Sequence, residues 1–444
     1  MKSADTIVAI STANGNAAVG VIRVSGPNTN IISEHYFGET KERYAKYVKI
    51  RDGDDNIIDD AIVIRFVGPS SYTGEDMLEI QMHGNPILLE KFQNILCEAY
   101  CRLAKPGEFT ERAYLNNKLD LVQAEAVIDL INSSSYDATL AAQRSLQGKF
   151  SNVLSEVGDQ ILSIRTLVES SINFPEDDTH NESSNKYKHH LNKLIERLEH
   201  LIDTAKHGLK LNNQAKISIL GKPNVGKSTL SNCLLGQQAS IVSEMPGTTR
   251  DIVKNDLNLK NNVVTLFDTA GLRKTKDVVE AKGVDLSIEA SSLSDLILYV
   301  IDDELGVDEV DLKFLESNKN DCWIIFNKID KTDKTPETGQ YEGYKYFNLS
   351  ADTESGIELL KKALISMRHT SNERNLTLAR ERHIESLKAS LKNLYNASNY
   401  NDNQQLDLVG EELRRSHLHL QNILGGDVDE ELLDEIFSNF CIGK

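Results

Sequence analysis

The chain has 444 residues, of which 40% are hydrophobic and 26% are charged, and its net charge is −18. This length leaves room for about three domains of ~150 residues, and no apolar run reaches the ~18 residues of a membrane span. The acidic balance argues against a general affinity for nucleic acid, whose phosphates are bound by clustered lysine and arginine. The five cysteines form no paired pattern, so we expect a reducing, cytosolic compartment and no membrane association.

The first segment, residues 1–118, is predicted to be an α+β domain. It contains four short apolar runs that are typical of strands and are separated by turns containing Gly, Pro and Asn. These runs are residues 7–10, 19–24, 61–67 and 77–82.

Helical periodicity begins at residue 119. Apolar residues recur near a 3.6-residue period, which predicts helices; the runs are residues 119–130, 154–168, 191–201, 376–395, 406–423 and 429–440. Pro175 and the polar residues 176–185 predict a break between two of these helices. We expect residues 119–212 and 372–444 to pack together as one all-α domain.

Residues 213–371 interrupt this helical domain with an α/β pattern. Strand-like apolar runs alternate with helical stretches, and the alternation predicts a mostly parallel sheet covered by helices. The predicted strands are residues 217–220, 263–267, 296–301 and 323–326. The chain as a whole is therefore predicted to be multidomain, with an α/β domain inserted into an all-α domain.

A phosphate-binding pattern follows the first strand of the inserted domain. Residues 221–228, Gly-Lys-Pro-Asn-Val-Gly-Lys-Ser, match GxxxxGK[ST] between a predicted strand and a predicted helix. In such a loop, backbone N–H groups and the helix N-terminus surround the phosphates. Lys227 would reach the β- and γ-phosphates, and the Ser228 hydroxyl would bind Mg²⁺.

Three further motifs predict that the nucleotide is GTP. Asp268 begins the run Asp-Thr-Ala-Gly, where the carboxylate can hold Mg²⁺ through water and Gly271 can approach the γ-phosphate. Asp330 ends the run Asn-Lys-Ile-Asp, and its carboxylate can accept the two N–H donors of guanine, which adenine lacks. Ser350 and Ala351 are placed to meet the guanine carbonyl. The order of the four motifs is that of a P-loop GTPase.

The hydrolytic machinery differs from that of Ras-type enzymes. Leu272 occupies the position where those enzymes place the glutamine that orients the attacking water. Glu280 is the candidate general base or water-positioning residue, although its position alone is more typical of a solvated acid. Asn224 offers an amide oxygen with which the loop could cage a monovalent cation that neutralises transition-state charge; alternatively it only caps the loop turn. Thr249 is suited to Mg²⁺.

The nucleotide site is predicted to comprise all four motifs and the loop 243–249. The predicted GTP-binding residues are Asn224, Val225, Gly226, Lys227, Ser228, Thr229, Ser243, Glu244, Met245, Pro246, Gly247, Thr248, Thr249, Asp268, Thr269, Ala270, Gly271, Asn327, Lys328, Ile329, Asp330, Ser350 and Ala351. Mg²⁺ is predicted to bind Ser228 and Thr249.

These motifs, with several outside the inserted domain, resemble those of the MnmE (TrmE) family of bacterial tRNA-modification GTPases. The resemblance covers essentially the whole chain and is carried by residues 221–228, 246–251, 268–273, 5–9, 73–76, 105–109, 117–121 and the terminal Cys-Ile-Gly-Lys of 441–444. It implies a homodimer with an N-terminal folate-binding and dimerisation domain (1–118), a helical domain and an inserted Ras-like GTPase domain.

The resemblance also implies a function. With the flavoprotein MnmG, in a heterotetramer, the family adds a carboxymethylaminomethyl or aminomethyl group at C5 of the wobble uridine, position 34, of certain tRNAs. The carbon unit comes from a folate such as 5-formyltetrahydrofolate, and potassium-dependent pairing of the GTPase domains stimulates GTP hydrolysis.

Residue by residue, the resemblance assigns roles that the motifs alone leave open. It makes Glu280 the residue that positions the attacking water. It implies potassium ligands at Asn224, Ser243, Met245 and Thr248, although the family often has threonine where Ser243 stands, and folate-binding residues at Arg23, Glu79, Lys118 and Lys444. Cys441 is either a thiol near the folate chemistry or, as a lone helical cysteine, a small buried hydrophobe.

A second function remains open from the sequence. A GTP-dependent binding switch in ribosome assembly would share the GTPase motifs, with hydrolysis only timing release. Such a switch typically adds an RNA-binding module, whereas this chain has the folate-like N-terminus and the Cys-Ile-Gly-Lys end. The acidic net charge also disfavours a self-sufficient RNA-binding protein.

Overall fold

The computed structural model describes residues 5–173, 180–212, 215–236, 253–259, 262–268, 294–318, 322–366, 377–402, 405–426 and 428–444. The chain divides into two compact units. The first unit comprises residues 1–132, 141–208 and 377–444, and the second comprises residues 133–140 and 209–376. The insertion predicted from the sequence corresponds to most of the second unit. The separate boundary predicted near residue 118, within the first unit, stays a prediction.

A six-stranded sheet and three helices form the N-terminal part of the first unit. Its strand order is β3-β4-β5-β2-β1-β6; the strands are β1 Ile7–Ile10, β2 Ala17–Ser25, β3 Lys46–Arg51, β4 Ile57–Phe66, β5 Met77–Gly84 and β6 Arg102–Leu103. The helices of this part are α1 Thr29–Phe37, α2 Pro86–Ala99 and α3 Glu108–Leu115. All four predicted strands are confirmed, and β3 and β6 were not predicted from the sequence.

The two faces of this sheet differ in character because side chains alternate along each strand. Ile22, Val24, Leu78 and Ile80 are buried in the core that includes residues of α1 and α2. Arg23 and Glu79 alternate with these residues and therefore project from the opposite face. Those two positions are direct cross-strand partners in the antiparallel pair β2–β5.

Four helices follow in the chain. They are α4 Leu121–Asn132, α5 Tyr136–Leu146, α6 Lys149–Asn173 and α7 His180–Asn212. The predicted break at residues 176–185 is too long, because α7 already begins at His180. A polar run is compatible with a helix, so polarity alone misplaced the boundary.

The second unit contains a seven-stranded sheet of order β12-β13-β11-β10-β7-β9-β8. Its strands are β7 Ala215–Gly221, β8 Val253–Leu259, β9 Asn262–Asp268, β10 Leu296–Asp302, β11 Cys322–Asn327, β12 Glu337–Tyr341 and β13 Tyr344–Asn348. The five inner strands are parallel, and the two edge strands pair antiparallel. Helices α8 Lys227–Leu235, α9 Glu309–Ser317 and α10 Ile357–Ser366 belong to this unit. The predicted parallel sheet is confirmed.

The chain returns to the first unit at Thr377 and ends in three helices. They are α11 Glu381–Asp402, α12 Leu406–Leu424 and α13 Glu430–Ser438. The predicted start of α11 at residue 376 is wrong, because residues 377–380 are non-helical and lead into the helix. Helix α12 packs against both α11 and α6, so helices from before and after the insertion share one bundle. None of the helices described by the structure is both long and apolar enough to cross a membrane.

A buried ionic cluster joins α4 to the start of α11. The Glu125 carboxylate is 1% exposed and accepts two hydrogen bonds from the Arg382 guanidinium, at 2.8 and 2.7 Å. It also faces His383 Nε2 at 2.9 Å. Since His383 Nδ1 accepts the Arg380 backbone N–H, the histidine is neutral with its proton on Nε2, which donates to Glu125. Burial lowers the pKa of His383, in agreement with this tautomer.

We predict that Glu125→Gln weakens the helical part of the first unit. Burial alone would raise the pKa of Glu125, but hydrogen bonds from His383 and Arg382 lower it from 4.5 to about 2. The carboxylate therefore stabilises the fold above about pH 4.5, and this contribution is lost as the pH falls towards 2. At neutral pH, the substitution leaves Arg382 without its carboxylate and should lower the opening free energy of α4 and α11 by roughly 3 kcal/mol.

Hydrogen exchange of the amides in α4 and α11 measures this free energy directly. Glu385→Gln, at an exposed position on α11, is the matched control and should leave exchange unchanged. The wild-type chain should also lose protection more steeply than the variant between pH 5 and pH 2, a range set by the cited pKa values. Equal protection in Glu125→Gln and the control would contradict the prediction.

Candidate functional site

The predicted phosphate-binding loop connects β7 to α8 in the second unit. Gly226 has φ +97°, and a Cβ atom there would collide with the Asn327 amide nitrogen, so glycine is required on both counts. Asn224 also has a positive φ, +65°, which asparagine tolerates better than most residues. Helix α8 begins at Lys227, directly after the loop. The loop and the helix N-terminus thus form an anion-binding arrangement.

Lys227 lies folded back over the loop. Its Nζ donates to the Gly221 carbonyl at 2.8 Å and to the Lys222 carbonyl at 2.5 Å. Ser228 and Thr229 follow in the first turn of α8 and are exposed. Asp268 ends β9, and its backbone pairs in register with Ile219 of the neighbouring strand β7. The Ser228 hydroxyl is a hard oxygen ligand of the kind that Mg²⁺ binds.

Asn327 connects three of the predicted motifs. Its side chain is 2% exposed; Nδ2 donates to the Val225 carbonyl at 2.9 Å, and Oδ1 accepts the Ala351 N–H at 2.9 Å. One buried amide therefore links the phosphate loop, the Asn-Lys-Ile-Asp run and the Ser-Ala motif. Ser350 is fully buried beside Ala351.

Lys328, Ile329 and Asp330 follow Asn327 and, with Ser350 and Ala351, form the predicted guanine-binding part of the site, which we call the base edge. Ile329 is buried and begins a single 3₁₀ turn, Ile329–Lys331, which leaves Asp330 exposed. Lys328 has φ +69°, and its Nζ donates to the Asn224 carbonyl at 2.8 Å and to Asp302 at 2.6 Å. Burial alone would raise the pKa of Asp302, but the Lys328 ammonium holds it below its ordinary value.

Several predicted residues lie outside the described residues. The potassium positions Ser243, Met245 and Thr248, the magnesium position Thr249 and the catalytic candidate Glu280 are among them. The remaining positions outside the description are Glu244, Pro246, Gly247, Thr269, Ala270, Gly271 and Leu272. Their predicted roles stay predictions.

The predicted folate residues of the first unit are grouped around a cross-strand ion pair. Arg23 Nε and Nη2 both lie 2.9 Å from Glu79 Oε1. The side chains are 22% and 21% exposed, so the pair is mostly shielded, which is unusual for ordinary surface charges. The Arg23 guanidinium lies 5.8 Å from the ring centroid of Tyr72. Burial, and after it the positive charge of Arg23, lower the pKa of Lys444 below its ordinary value.

The C-terminal tail reaches this cluster because it is docked on the N-terminal sheet. Gly443 has φ +95°, and a Cβ atom there would lie 2.5 Å from the Ile10 carbonyl oxygen. The Phe109 N–H donates to the Lys444 carbonyl at 3.2 Å. Cys441 is exposed, so its interpretation as a small buried hydrophobe is wrong.

Lys118 contacts the loop that precedes β5. Its Nζ donates to the Pro69 carbonyl at 2.9 Å, and its aliphatic chain packs on Gly74. The same loop contains Tyr72. Lys118 also lines a groove of about 550 Å³.

Buried charges hold this loop in place. Arg112 is 4% exposed and contacts Glu75 at 3.1 Å and Glu108 at 2.9 Å. Ser25 also donates to Glu75 at 2.8 Å. Tyr72 and Arg112 were not predicted from the sequence; the position of Tyr72 next to the Thr-Gly-Glu-Asp motif at 73–76 was the one available signal.

The parallel sheet, the glycine-containing phosphate loop and the Asn327-centred base edge define the second unit as a P-loop GTPase domain. Two family models together match nearly the whole chain. A model described as the GTP-binding protein TrmE N-terminus matches residues 6–118, and the MnmE helical domain model matches residues 121–441.

Individual relatives agree with the family models. The tRNA modification GTPase MnmE of Coxiella burnetii (strain Dugway 5J108-111) is 40% identical over 449 residues, covering 99% of each chain. MnmE of Pasteurella multocida (strain Pm70) is 39% identical over 455 residues, covering 99% of this chain and 100% of the relative. This chain belongs to the MnmE family of tRNA modification GTPases, and it is a GTP hydrolase.

Solved structures are similar over part of the chain. The G domain of the T. maritima FeoB iron transporter has 24% identity and a TM-score of 0.27, covering 35% of this chain and 98% of that one. Aquifex aeolicus Era bound to GDP and AlF4− has 25% identity and a TM-score of 0.26, covering 40% of this chain and 66% of that one.

Proposed function

We propose that this chain is a potassium-stimulated GTPase of the cytosol that acts with an MnmG-type flavoprotein on tRNA. The pair adds a carboxymethylaminomethyl or aminomethyl group at C5 of the wobble uridine, position 34, with a folate as one-carbon donor. The observation that carries the proposal is the shielded Arg23–Glu79 pair on the same sheet against which the C-terminal tail packs. A GTPase that served only as a binding switch has no need of this second charged cluster.

Within the nucleotide site, we assign the motif residues to the phosphates, to Mg²⁺ or to the base. Lys227 and the N-terminal amides of α8 bind the phosphates, Ser228 holds Mg²⁺ together with Thr249, and the exposed Asp330 recognises guanine. Mg²⁺ neutralises charge on the β- and γ-phosphates when it is bound.

Hydrolysis is proposed to use Glu280 and a monovalent cation instead of a Ras-type glutamine and an arginine finger. Asn224 is exposed in the loop with its backbone carbonyl already held by Lys328. Its side-chain oxygen can therefore bind K⁺ with Ser243, Met245 and Thr248 without disturbing the backbone.

We predict that hydrolysis depends separately on the monovalent cation and on Glu280. Replacing K⁺ by Na⁺ at equal ionic strength should lower kcat by at least about tenfold, because a cation of different size does not fit the same ligands. Glu280→Ala should lower kcat by about 10²-fold or more in either salt while GTP affinity changes little. Steady-state phosphate release and equilibrium titration of a fluorescent GTP analogue measure the two quantities. Equal rates in K⁺ and Na⁺ would remove the proposed role of Asn224, and an active Glu280→Ala chain would remove that of Glu280.

In the first unit, the charged cluster suits the two ends of a folate. A carboxylate such as Glu79 can accept the amino and ring N–H groups of the pterin, and Lys118 and Lys444 can bind the anionic glutamate tail. Arg23 would hold the Glu79 carboxylate in place while Glu79 contacts the ligand.

We predict that 5-formyltetrahydrofolate binds the full chain and that Arg23→Ala lowers its affinity by about tenfold or more, because a charge-assisted contact is lost. Isothermal titration calorimetry measures the binding. Arg51→Ala removes an equally positive but exposed residue of β3 and is the matched control. Retained affinity in Arg23→Ala, with folding verified by circular dichroism, would refute the folate assignment of this cluster.

The tRNA reaction is tested in the organism that encodes the chain. Deletion of the gene should leave wobble uridines without the C5 group, as measured by mass spectrometry of tRNA nucleosides. The wild-type gene should restore the group, and the gene encoding Glu280→Ala should not. Unchanged wobble uridines in the deletion strain would refute the proposal and favour the ribosome-assembly switch.

Reconstitution defines the partners of the same reaction. The purified chain, 49.6 kDa, is expected to sediment as a homodimer and to form a heterotetramer with the MnmG-type flavoprotein. With tRNA, GTP, K⁺ and the folate donor, this complex should modify position 34. A monomeric chain, or modification without the flavoprotein, would contradict the proposed assembly.

A further inference from the structure

The phosphate-binding loop is attached to helix α9 through a buried carboxylate. Asp311 is 2% exposed and accepts hydrogen bonds from Lys222 Nζ at 2.8 Å and from the Tyr299 hydroxyl at 2.9 Å. It also accepts the Asp308 backbone N–H at 3.1 Å. Asp308 forms a second ion pair with the Lys222 ammonium.

We propose that Asp311 is a positioning residue for nucleotide binding, which acts through Lys222 on the phosphate loop. Lys222 occupies a position of GxxxxGK[ST] that the pattern leaves unspecified, and it directly follows Gly221. Its carbonyl accepts the hydrogen bond from Lys227 Nζ at 2.5 Å. The residue whose side chain is anchored by Asp311 therefore also supports, through its backbone, the lysine that meets the phosphates.

A second lysine–carboxylate pair anchors the middle of the loop. Lys328 joins the Asn224 carbonyl to Asp302, at the end of β10. Asp302 and Asp311 begin and end the short connection that leads from β10 into the first turn of α9. Two lysine–carboxylate pairs on this one connection thus fix the loop at residues 222 and 224.

The energetic consequence concerns the cost of ordering the loop. Backbone N–H groups bind a phosphate well only when they converge on it, and a loop that must first be ordered loses affinity. The Asp311–Lys222 pair would hold the loop in one conformation before the nucleotide binds. Loss of the pair should therefore weaken nucleotide binding more than it slows the chemical step.

A purely structural role for Asp311 makes different predictions. Asp308 and Asp311 form a capping box at the start of α9, and such a cap stabilises a helix whatever residue stands at 222. A cap alone would lower thermal stability in Asp311→Asn. It would leave nucleotide affinity, and its dependence on Lys222, unchanged.

A double-mutant cycle on the full chain separates the two roles. Asp311→Asn and Lys222→Gln should each raise the Kd for GDP and for a non-hydrolysable GTP analogue by about tenfold, and the double variant should be no weaker than either single variant. KM should rise with Kd, while kcat falls by less than about threefold. Lys222→Arg, which keeps the ion pair, should restore affinity to within about threefold of the wild type.

The control is Lys313→Gln, which removes an exposed lysine from the same helix and should change nothing. Thermal melts of every variant report folding independently. The proposal is overturned if both single variants bind within twofold of the wild type, or if the two effects multiply in the double variant. Should Asp311→Asn fail to fold, Lys222→Gln decides alone, and a Kd within twofold of the wild type overturns the proposal.

Discussion

The two hydrogen bonds of the Asn327 side chain are the interaction on which the nucleotide site depends. The amide donates to the phosphate loop at Val225 and accepts from the Ala351 N–H, and the Asn327 side chain itself is nearly closed to water. In such surroundings an unsatisfied donor or acceptor costs about 1–3 kcal/mol, so the three segments are stable only in one relative position. Gly226 belongs to the same constraint, because any side chain there would displace the amide. A change at Asn327 is therefore expected to disturb phosphate binding and guanine binding together.

The parallel sheet brings these segments together before any side chain acts. Strands β7, β9, β10 and β11 run in the same direction, so their carboxyl ends meet along one edge, where α/β proteins bind ligands. Strand β10 is buried along its whole length, as expected for the centre of such a sheet. Its last residue, Asp302, can therefore hold Lys328 from a rigid support, and the adjoining connection extends this support to Asp311.

The sequence predicted most of this framework but little of the contact network. The inner strands were predictable because buried parallel strands are continuous apolar runs, whereas β12, Glu337–Tyr341, is a mostly exposed edge strand of polar residues without such a pattern. The phosphate and guanine motifs were predictable because their chemistry is local. Contacts such as Lys222 with Asp311 join residues that are 89 positions apart. No periodicity or spacing indicates such a pair, and Glu125 with Arg382, 257 positions apart, was missed for the same reason.

A net charge of −18 repels anionic ligands at long range, and the ion pairs explain how such ligands can still be bound. Near both candidate sites, basic side chains are paired with carboxylates: Lys222 with Asp311, Lys328 with Asp302, and Arg23 with Glu79. These pairs fix the side chains and reduce their long-range attraction for phosphate. An anion is then bound by the geometry of a few positioned groups and backbone amides, not by a field that any polyanion would feel. Such an arrangement favours GTP and a folate at defined sites, and it leaves the recognition of tRNA to a local surface or to a partner protein.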